Sequence, residues 1–135
     1  MPQSLFNISA SAMSAERMRM AVASENLAHA GDTEKRANGL PYARQRVVFS
    51  TVMDKAGRDT GEVTARIVDS ARYQHRFEPD HPHADPATGM VVEARIDPIL
   101  ELTDLMIASK AYDANADAAR GIMRMHDSAL RLGEG

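Results

Sequence analysis

The two ends of the chain are almost free of residues that interrupt helices. The 135 residues include 8 Gly and 6 Pro, 14 together. Ten of these 14 lie between positions 31 and 98, whereas residues 3–30 contain none and residues 99–132 contain only Gly121. Because Gly and Pro favour turns and end helices, this distribution predicts a long helix at each end and a broken middle segment.

Both predicted helices are unusually long. At 1.5 Å per residue, residues 3–30 would span about 42 Å and residues 98–132 about 52 Å, whereas an ordinary helix has about 11–12 residues. Asp97 supplies an N-cap carboxylate and Pro98 suits the first helical position. Gly133 is suited to end the second helix.

The C-terminal helix also carries a heptad pattern, which is typical of a coiled-coil seam. Seven of its nine positions are apolar, and the line comprises Leu102, Leu105, Ser109, Tyr112, Ala116, Ala119, Met123, His126 and Leu130. We therefore predict a mainly α fold with a small β lobe. Residues 1–30 and 98–135 would pair as a coiled-coil assembly domain, and residues 31–97 would form the β-rich middle lobe.

The N-terminal helix has two apolar lines, whereas an ordinary amphipathic helix has one. The first comprises Phe6, Met13, Met20 and Leu27, and the second, on the nearly opposite side, comprises Ile8, Ala15 and Val22. One C-terminal helix covers one line, so we expect another protein chain to cover the second. The isolated chain would then have poorly ordered ends that fold on assembly. The alternative is a monomeric bundle whose helices are broken at Met18 or near Arg120.

The middle segment predicts short strands. Residues 42–49 are rich in β-formers, and residues 63–67 alternate between apolar and polar side chains. Residues 56–61 predict a turn between them, and residues 90–92 a last short strand.

Composition excludes several classes of protein. With 16 basic and 19 acidic residues the net charge is −3, which argues against a nucleic-acid partner. The absence of cysteine excludes disulfides, thiolate nucleophiles and Cys-ligated zinc. No apolar run is long enough for membrane insertion, and the N-terminus has no pattern of a cleaved signal peptide.

One cluster could hold a divalent metal, since His81 and His83 lie beside Asp80 and Asp85 with His75 nearby. Two prolines interrupt this segment and no second group of spaced ligands appears, so we expect a rigid surface loop. The sequence also has no nucleophile elbow, no phosphate-binding Gly-rich loop and no His–Glu pair at helical spacing. We therefore predict no catalytic residue, no metal site and no cofactor.

Motifs near both ends resemble one family. Residues 24–30, Ser-Glu-Asn-Leu-Ala-His-Ala, resemble the Ser-x-Asn-Leu-Ala-Asn-Ala stretch that closes the first helix of flagellar rod, hook and hook-associated proteins. Residues 109–115, Ser-Lys-Ala-Tyr-Asp-Ala-Asn, are similar to the family's Ser-Arg-x-Tyr-x-Ala-Asn. Residues 41–49 and the His-Pro segment 79–89 resemble those of the family's proximal-rod members. His29 replaces the family's second Asn, and residues 89–97 lack its Pro-Asn pair.

The resemblance implies a non-enzymatic structural subunit of the proximal rod of the bacterial flagellar basal body. Such a subunit polymerises with itself and with other flagellar rod proteins into a helical drive shaft that crosses the periplasm. It is exported by the flagellar type III apparatus without a cleaved signal peptide. The alternatives are another rod or hook-family axial protein, a non-flagellar coiled-coil adaptor or chaperone, and a small metalloenzyme.

The predicted assembly interface combines the apolar lines with the two motif asparagines. It comprises Phe6, Ile8, Met13, Ala15, Met20, Val22, Asn26, Leu27, Leu102, Leu105, Tyr112, Asn115, Ala116, Ala119, Met123 and Leu130.

Overall fold

The chain folds as two long helices joined by four strands, in a computed structural model that describes residues 2–133. Its elements are α1 Pro2–Ala28, β1 Gln45–Met53, β2 Asp59–Asp69, β3 Tyr73–Phe77, β4 Met90–Ala94 and α2 Pro98–Gly133. The predicted mainly α fold with a small β lobe is confirmed. Neither helix has an apolar stretch of the length and hydropathy needed to cross a membrane.

Both helices are continuous, with 27 residues in α1 and 36 in α2. α2 begins at Pro98, where the Asp97 carboxylate accepts the Ile99 N–H at 2.9 Å and the Asp97 carbonyl accepts the Glu101 N–H at 3.1 Å. This cap satisfies amide groups that have no partner inside the helix. Because helical structure runs through Met18 and Arg120, the alternative of helices broken at those points is wrong.

The four strands form two separate antiparallel hairpins. β1 pairs with β2 from Gln45–Asp69 to Thr51–Val63, and β3 pairs with β4 from Tyr73–Ala94 to Phe77–Met90. The strands predicted in residues 42–49, 63–67 and 90–92 correspond to β1, β2 and β4. β3 was not predicted, because four of its five residues are exposed and its sequence therefore shows no alternation.

The second apolar line of α1 lies under the β1–β2 hairpin. Ala15 and Val22 are only 3% and 5% exposed. The Ser11 hydroxyl accepts the Val63 N–H at 3.1 Å, and Gly61 lies so close to Ile8 that an added Cβ would be 2.9 Å from the Ile8 Cδ1. The expectation that another chain must cover this line is therefore wrong, because the chain's own hairpin folds back over it.

Candidate assembly interface

A buried polar cluster joins α1, β1 and α2 at one end of the helix pair. Asn26 is 1% exposed. Its Nδ2 donates to the Gln45 carbonyl at 2.7 Å and to the Glu101 Oε2 at 3.2 Å. Its Oδ1 accepts the Tyr42 hydroxyl at 2.8 Å and the Gln45 N–H at 3.0 Å. Both donors and both lone pairs of the amide are thus used within the chain, so Asn26 joins three elements of one copy, and its place in the assembly interface stays a prediction.

Two members of this cluster are charged. Glu101 is buried, and its Oε1 accepts the Arg44 Nε at 2.5 Å. The sequence pattern does not single out Glu101, Arg44 or Tyr42 as functional positions. The only local signal was an acidic residue in the first turn of a helix, which usually indicates compensation of the helix dipole.

His29, which replaces the family's second Asn, also contacts this cluster. Its ring stacks on Tyr42 with the centroids 4.2 Å apart, and its Nδ1 lies 3.0 Å from the Asp32 Oδ2. The hydrogen bond with His29, together with that from the Glu34 N–H, holds the pKa of the Asp32 carboxyl below its usual range. Burial raises the pKa of the Tyr42 hydroxyl. His29 therefore makes specific contacts in this chain, with Tyr42 and with Asp32.

A second polar contact crosses the helix pair nearer its middle. The Arg19 guanidinium donates to the Asp104 carboxylate through its Nε at 3.0 Å and also through its Nη2. This hydrogen bond raises the pKa of Arg19. Glu16 lies beside the pair, 3.7 Å from Arg19, and its Oε2 is buried without a hydrogen bond. Burial raises the pKa of Glu16, although the charge of Arg19 opposes the change.

The structure brings together predicted residues from both terminal helices. A cavity of about 360 Å³ between α1 and α2 is lined by six of them: Phe6, Met13, Tyr112, Ala116, Ala119 and Met123. Met20, Leu27, Leu105 and Asn115 are half-buried. The Asn115 Nδ2 donates to the Ala111 carbonyl of its own helix at 2.8 Å. The six residues that line the cavity therefore lie at the contact between the two helices of one chain.

The predicted heptad departs from the observed contact face at the start of α2. Leu102 is 48% exposed, whereas Glu101, Ala108 and Ala119 are buried. A line of strict heptad spacing drifts by about 20° per heptad on a straight helix. The predicted line therefore lies to one side of the contact face at Leu102 and meets it near Ala119.

α2 extends beyond the start of α1. Near that start, Phe6 lines the same cavity as Met123, and all residues of α2 from 124 to 133 are exposed. We call residues 124–133 the overhang. Leu130 lies on the overhang and is 54% exposed, so the described side chains of α1 leave this predicted interface residue largely uncovered.

A second apolar surface of α2 is uncovered along its whole length. We call it the free face, and it comprises Leu100, Ile107, Ala118, Met125 and Leu132. Steps of 7 and 11 residues return to the same side of an α-helix, so these side chains share one side. All five are exposed, with Met125 at 64% and Leu132 at 84%. A line of exposed apolar side chains of this kind is typical of an interaction site.

The His-Pro segment forms a loop held by its own hydrogen bonds. The His81 Nδ1 accepts the His83 N–H at 3.0 Å, and the His83 Nδ1 lies 3.0 Å from the Thr33 hydroxyl. Within residues 2–133, no three His, Asp or Glu side chains are grouped so that they could hold a metal ion. The absence of a metal site stays a prediction.

Comparison with known proteins places the chain in a family. A scan against protein-family models finds no match. The chain is 36% identical over 133 residues to "Flagellar basal-body rod protein FlgC" of Salmonella typhimurium, with 96% of each protein covered. The protein of the same name from Bacillus subtilis is 32% identical over 144 residues, with 95% of each covered. That from Agrobacterium fabrum is 31% identical over 114 residues, covering 84% of this chain and 81% of the relative.

The first two similarities extend over 96% and 95% of the chain. They confirm the resemblance to the flagellar rod proteins and favour it over the non-flagellar adaptor. The chain belongs to the FlgC family of flagellar basal-body rod proteins.

Proposed function

We propose that this chain is a structural subunit of the proximal rod, where it polymerises with itself and with other flagellar rod proteins into a helical drive shaft. The observation that carries the proposal is the uncovered apolar surface of α2, which combines the free face and the overhang. Within residues 2–133 neither the hairpins nor α1 cover this surface. A subunit of a polymer needs such a surface, whereas a self-contained monomer would cover or avoid it.

The outer side of α1 complements the free face of α2. Its exposed positions include the small residues Ser14, Ala21 and Ala28. Small side chains allow a neighbouring helix to approach closely, because the distance between packed helices depends on the side chains at the contact. Packing α2 of one copy on α1 of the next is a heterologous contact. Such contacts produce helical assemblies when the rotation between copies does not close a ring.

The proposal extends to location, export and domain roles. The subunit lies in the basal body, in the rod that crosses the periplasm, and is exported through the flagellar type III apparatus without a cleaved signal peptide. Residues 1–30 and 98–135 form the assembly domain, and residues 31–97 face outward. The role is structural, without catalysis, cofactor, nucleic-acid binding or membrane insertion. The net charge of −3 and the absence of cysteine are compatible with it.

Carboxylates placed on the overhang test the proposal. Leu130→Asp and Met125→Asp should each abolish motility in a strain that lacks its own copy, and isolated basal bodies should lack complete rods. The reason is that a carboxylate buried in an apolar contact without a partner strongly destabilises that contact. Because both side chains are exposed in one chain, thermal unfolding of the purified variants should match that of the parent.

Arg131→Asp is the matched control, since it places a carboxylate at an exposed position on the charged side of the same overhang. This variant should remain motile. Normal rods and normal motility with both Leu130→Asp and Met125→Asp would contradict the proposed use of this surface.

A further inference from the structure

Two arginines face each other at the end of the β3–β4 ladder. Arg72 and Arg95 occupy the next opposing positions beyond the Tyr73–Ala94 pair. The Arg95 N–H donates to the Arg72 carbonyl at 2.8 Å. Their exposed side chains line one groove of about 450 Å³. Like charges directly opposite each other on neighbouring strands are destabilising. In the part of the chain that the structure describes, neither guanidinium has an ion-pair partner.

The two carboxylates that line the same groove, Asp97 and Glu101, form no ion pair with Arg72 or Arg95. Glu101 accepts from Arg44 and from Asn26, and Asp97 caps α2 through the Ile99 N–H. Arg72 and Arg95 therefore remain available to a further carboxylate. Guanidinium groups bind carboxylates in a bidentate geometry, which gives both strength and orientation.

An exposed acidic side chain without a partner lies on the outer side of α1. Glu25 forms no ion pair with any residue in the range 4–133, and it follows Ser14 and Ala21 along the side that we propose receives the free face of α2. Glu25 also lies at the same level as the groove along the axis of the helix pair. The neighbouring Asn26 hydrogen-bonds Glu101, and Glu101 lines the groove together with Leu100, the first residue of the free face.

We propose that the groove between Arg72 and Arg95 receives the Glu25 carboxylate of a neighbouring copy, an inference that rests on the proposed rod assembly. When α2 of one copy packs beside α1 of the next at the same height, Glu25 of the second copy lies opposite the groove of the first. The ion pairs would fix the height at which adjacent copies meet, which the apolar contact alone does not determine.

Because the chain contains no cysteine, a pair of introduced cysteines reports this contact directly. Glu25→Cys and Arg95→Cys chains with different tags are expressed together, so that a disulfide between the two tags joins two copies. Basal bodies are isolated, oxidised and analysed on a non-reducing gel. The matched control combines Glu25→Cys with Arg66→Cys, since Arg66 is an exposed arginine on β2 that does not line the groove.

The expected result is a mixed-tag dimer from the first combination and none above the background of the single variants from the control. If basal bodies contain both tagged chains but no mixed dimer, or if the control forms the dimer equally, the inference is overturned while the rod assignment stands. Absence of the chain from basal bodies would instead refute the rod assignment and this contact with it.

Charge reversal gives a second measurement. Arg72→Glu combined with Arg95→Glu should reduce motility, and adding Glu25→Arg should restore it, because the attraction between copies returns with opposite signs. Circular dichroism of the purified variants checks that each one folds. Folded variants in which Glu25→Arg gives no restoration would also overturn the inference.

Discussion

At the scale of single residues, Asn26 determines how α1, β1 and α2 meet. Asn26→Ala removes the partner of the Tyr42 hydroxyl, of the Gln45 N–H and carbonyl, and of one Glu101 oxygen. Buried polar groups that lose their partner each cost about 1–3 kcal/mol. We therefore expect urea unfolding to show a loss of about 3 kcal/mol or more in the free energy of unfolding, since several such groups are affected.

Asn7→Ala is the control for this substitution, because Asn7 lies on the same helix and is exposed. Its effect should stay within about 0.5 kcal/mol. Equal small effects of the two substitutions would show that the polar cluster contributes little to stability.

Replacing Glu16 with a neutral side chain should increase the stability of the folded chain, by an amount that depends on pH. Burial raises its pKa above the ordinary value of 4.5, so the folded chain binds this proton more tightly than the unfolded chain does. Ionised Glu16 therefore opposes folding above about pH 4.5. Glu16→Gln should therefore raise the free energy of unfolding at pH 7.

The pH dependence separates this effect from a general change in packing. The advantage of Glu16→Gln should shrink as the pH falls towards about 4.5 and be lost below it, because the parent side chain is then neutral in both states. Thermal unfolding between pH 3 and pH 7 measures this difference. An advantage that grows towards acidic pH would contradict the assignment.

The sequence alone could identify Asn26 but not its partners. Asn26 stood out through a motif, whereas Glu101 lies 75 residues away in the chain. Which polar side chains meet across such a separation depends on the register of the two helices. That register is a property of the tertiary fold, and local spacing contains no information about it.

At the scale of elements, the β1–β2 hairpin is the cover of α1, and Gly61 is the point of closest approach. Gly61 has φ of +77° and Gly57 has φ of +74°, a region that side chains other than Gly rarely adopt. A Cβ at Gly61 would also lie 2.9 Å from Ile8, whereas nothing lies within 4 Å of one at Gly57. Gly57→Ala should therefore destabilise by about 1 kcal/mol, and Gly61→Ala by clearly more.

Chemical denaturation of the two variants isolates the contact between hairpin and helix, because the backbone penalty is common to both. Adding Ile8→Val to Gly61→Ala should recover part of the loss by removing the methyl group at Cδ1. The prediction fails if Gly57→Ala is as destabilising as Gly61→Ala.

The elements themselves followed from the distribution of Gly and Pro and from the Asp97-Pro98 cap. What covers the second apolar line of α1 could not be predicted in the same way. The line of Ile8, Ala15 and Val22 indicates burial, but periodicity does not specify the neighbour. Just over half of the residues in β1 and β2 are exposed, 11 of 20. Their pattern is therefore weak, and it predicts strands without indicating the element on which they pack.

At the scale of the whole molecule, the two ends of the antiparallel helix pair differ: buried polar contacts join the helices at one end, and α2 extends beyond α1 at the other. The polar cluster around Asn26 and Glu101 closes the end that carries the groove. The overhang opens the other end, where Met125, Leu130 and Leu132 are exposed. The same asymmetry gives each copy one surface that offers a helix and another that receives one, as a heterologous assembly requires.

This asymmetry changes what is expected of the free chain. Since α1 is covered by α2 on one side and by the hairpin on the other, its amides from 8 to 26 should be protected from hydrogen exchange in a verified monomer, contrary to what the two apolar lines alone suggested. All residues of the overhang are exposed among the side chains that the structure describes, and isolated helical segments shorter than about 12–15 residues are marginal in water. Residues 124–133 should therefore exchange rapidly in the monomer and become protected in isolated basal bodies. Hydrogen exchange read by mass spectrometry compares the two states. Protection of residues 124–133 in the monomer, or their continued rapid exchange in basal bodies, would show that the overhang is not where copies join.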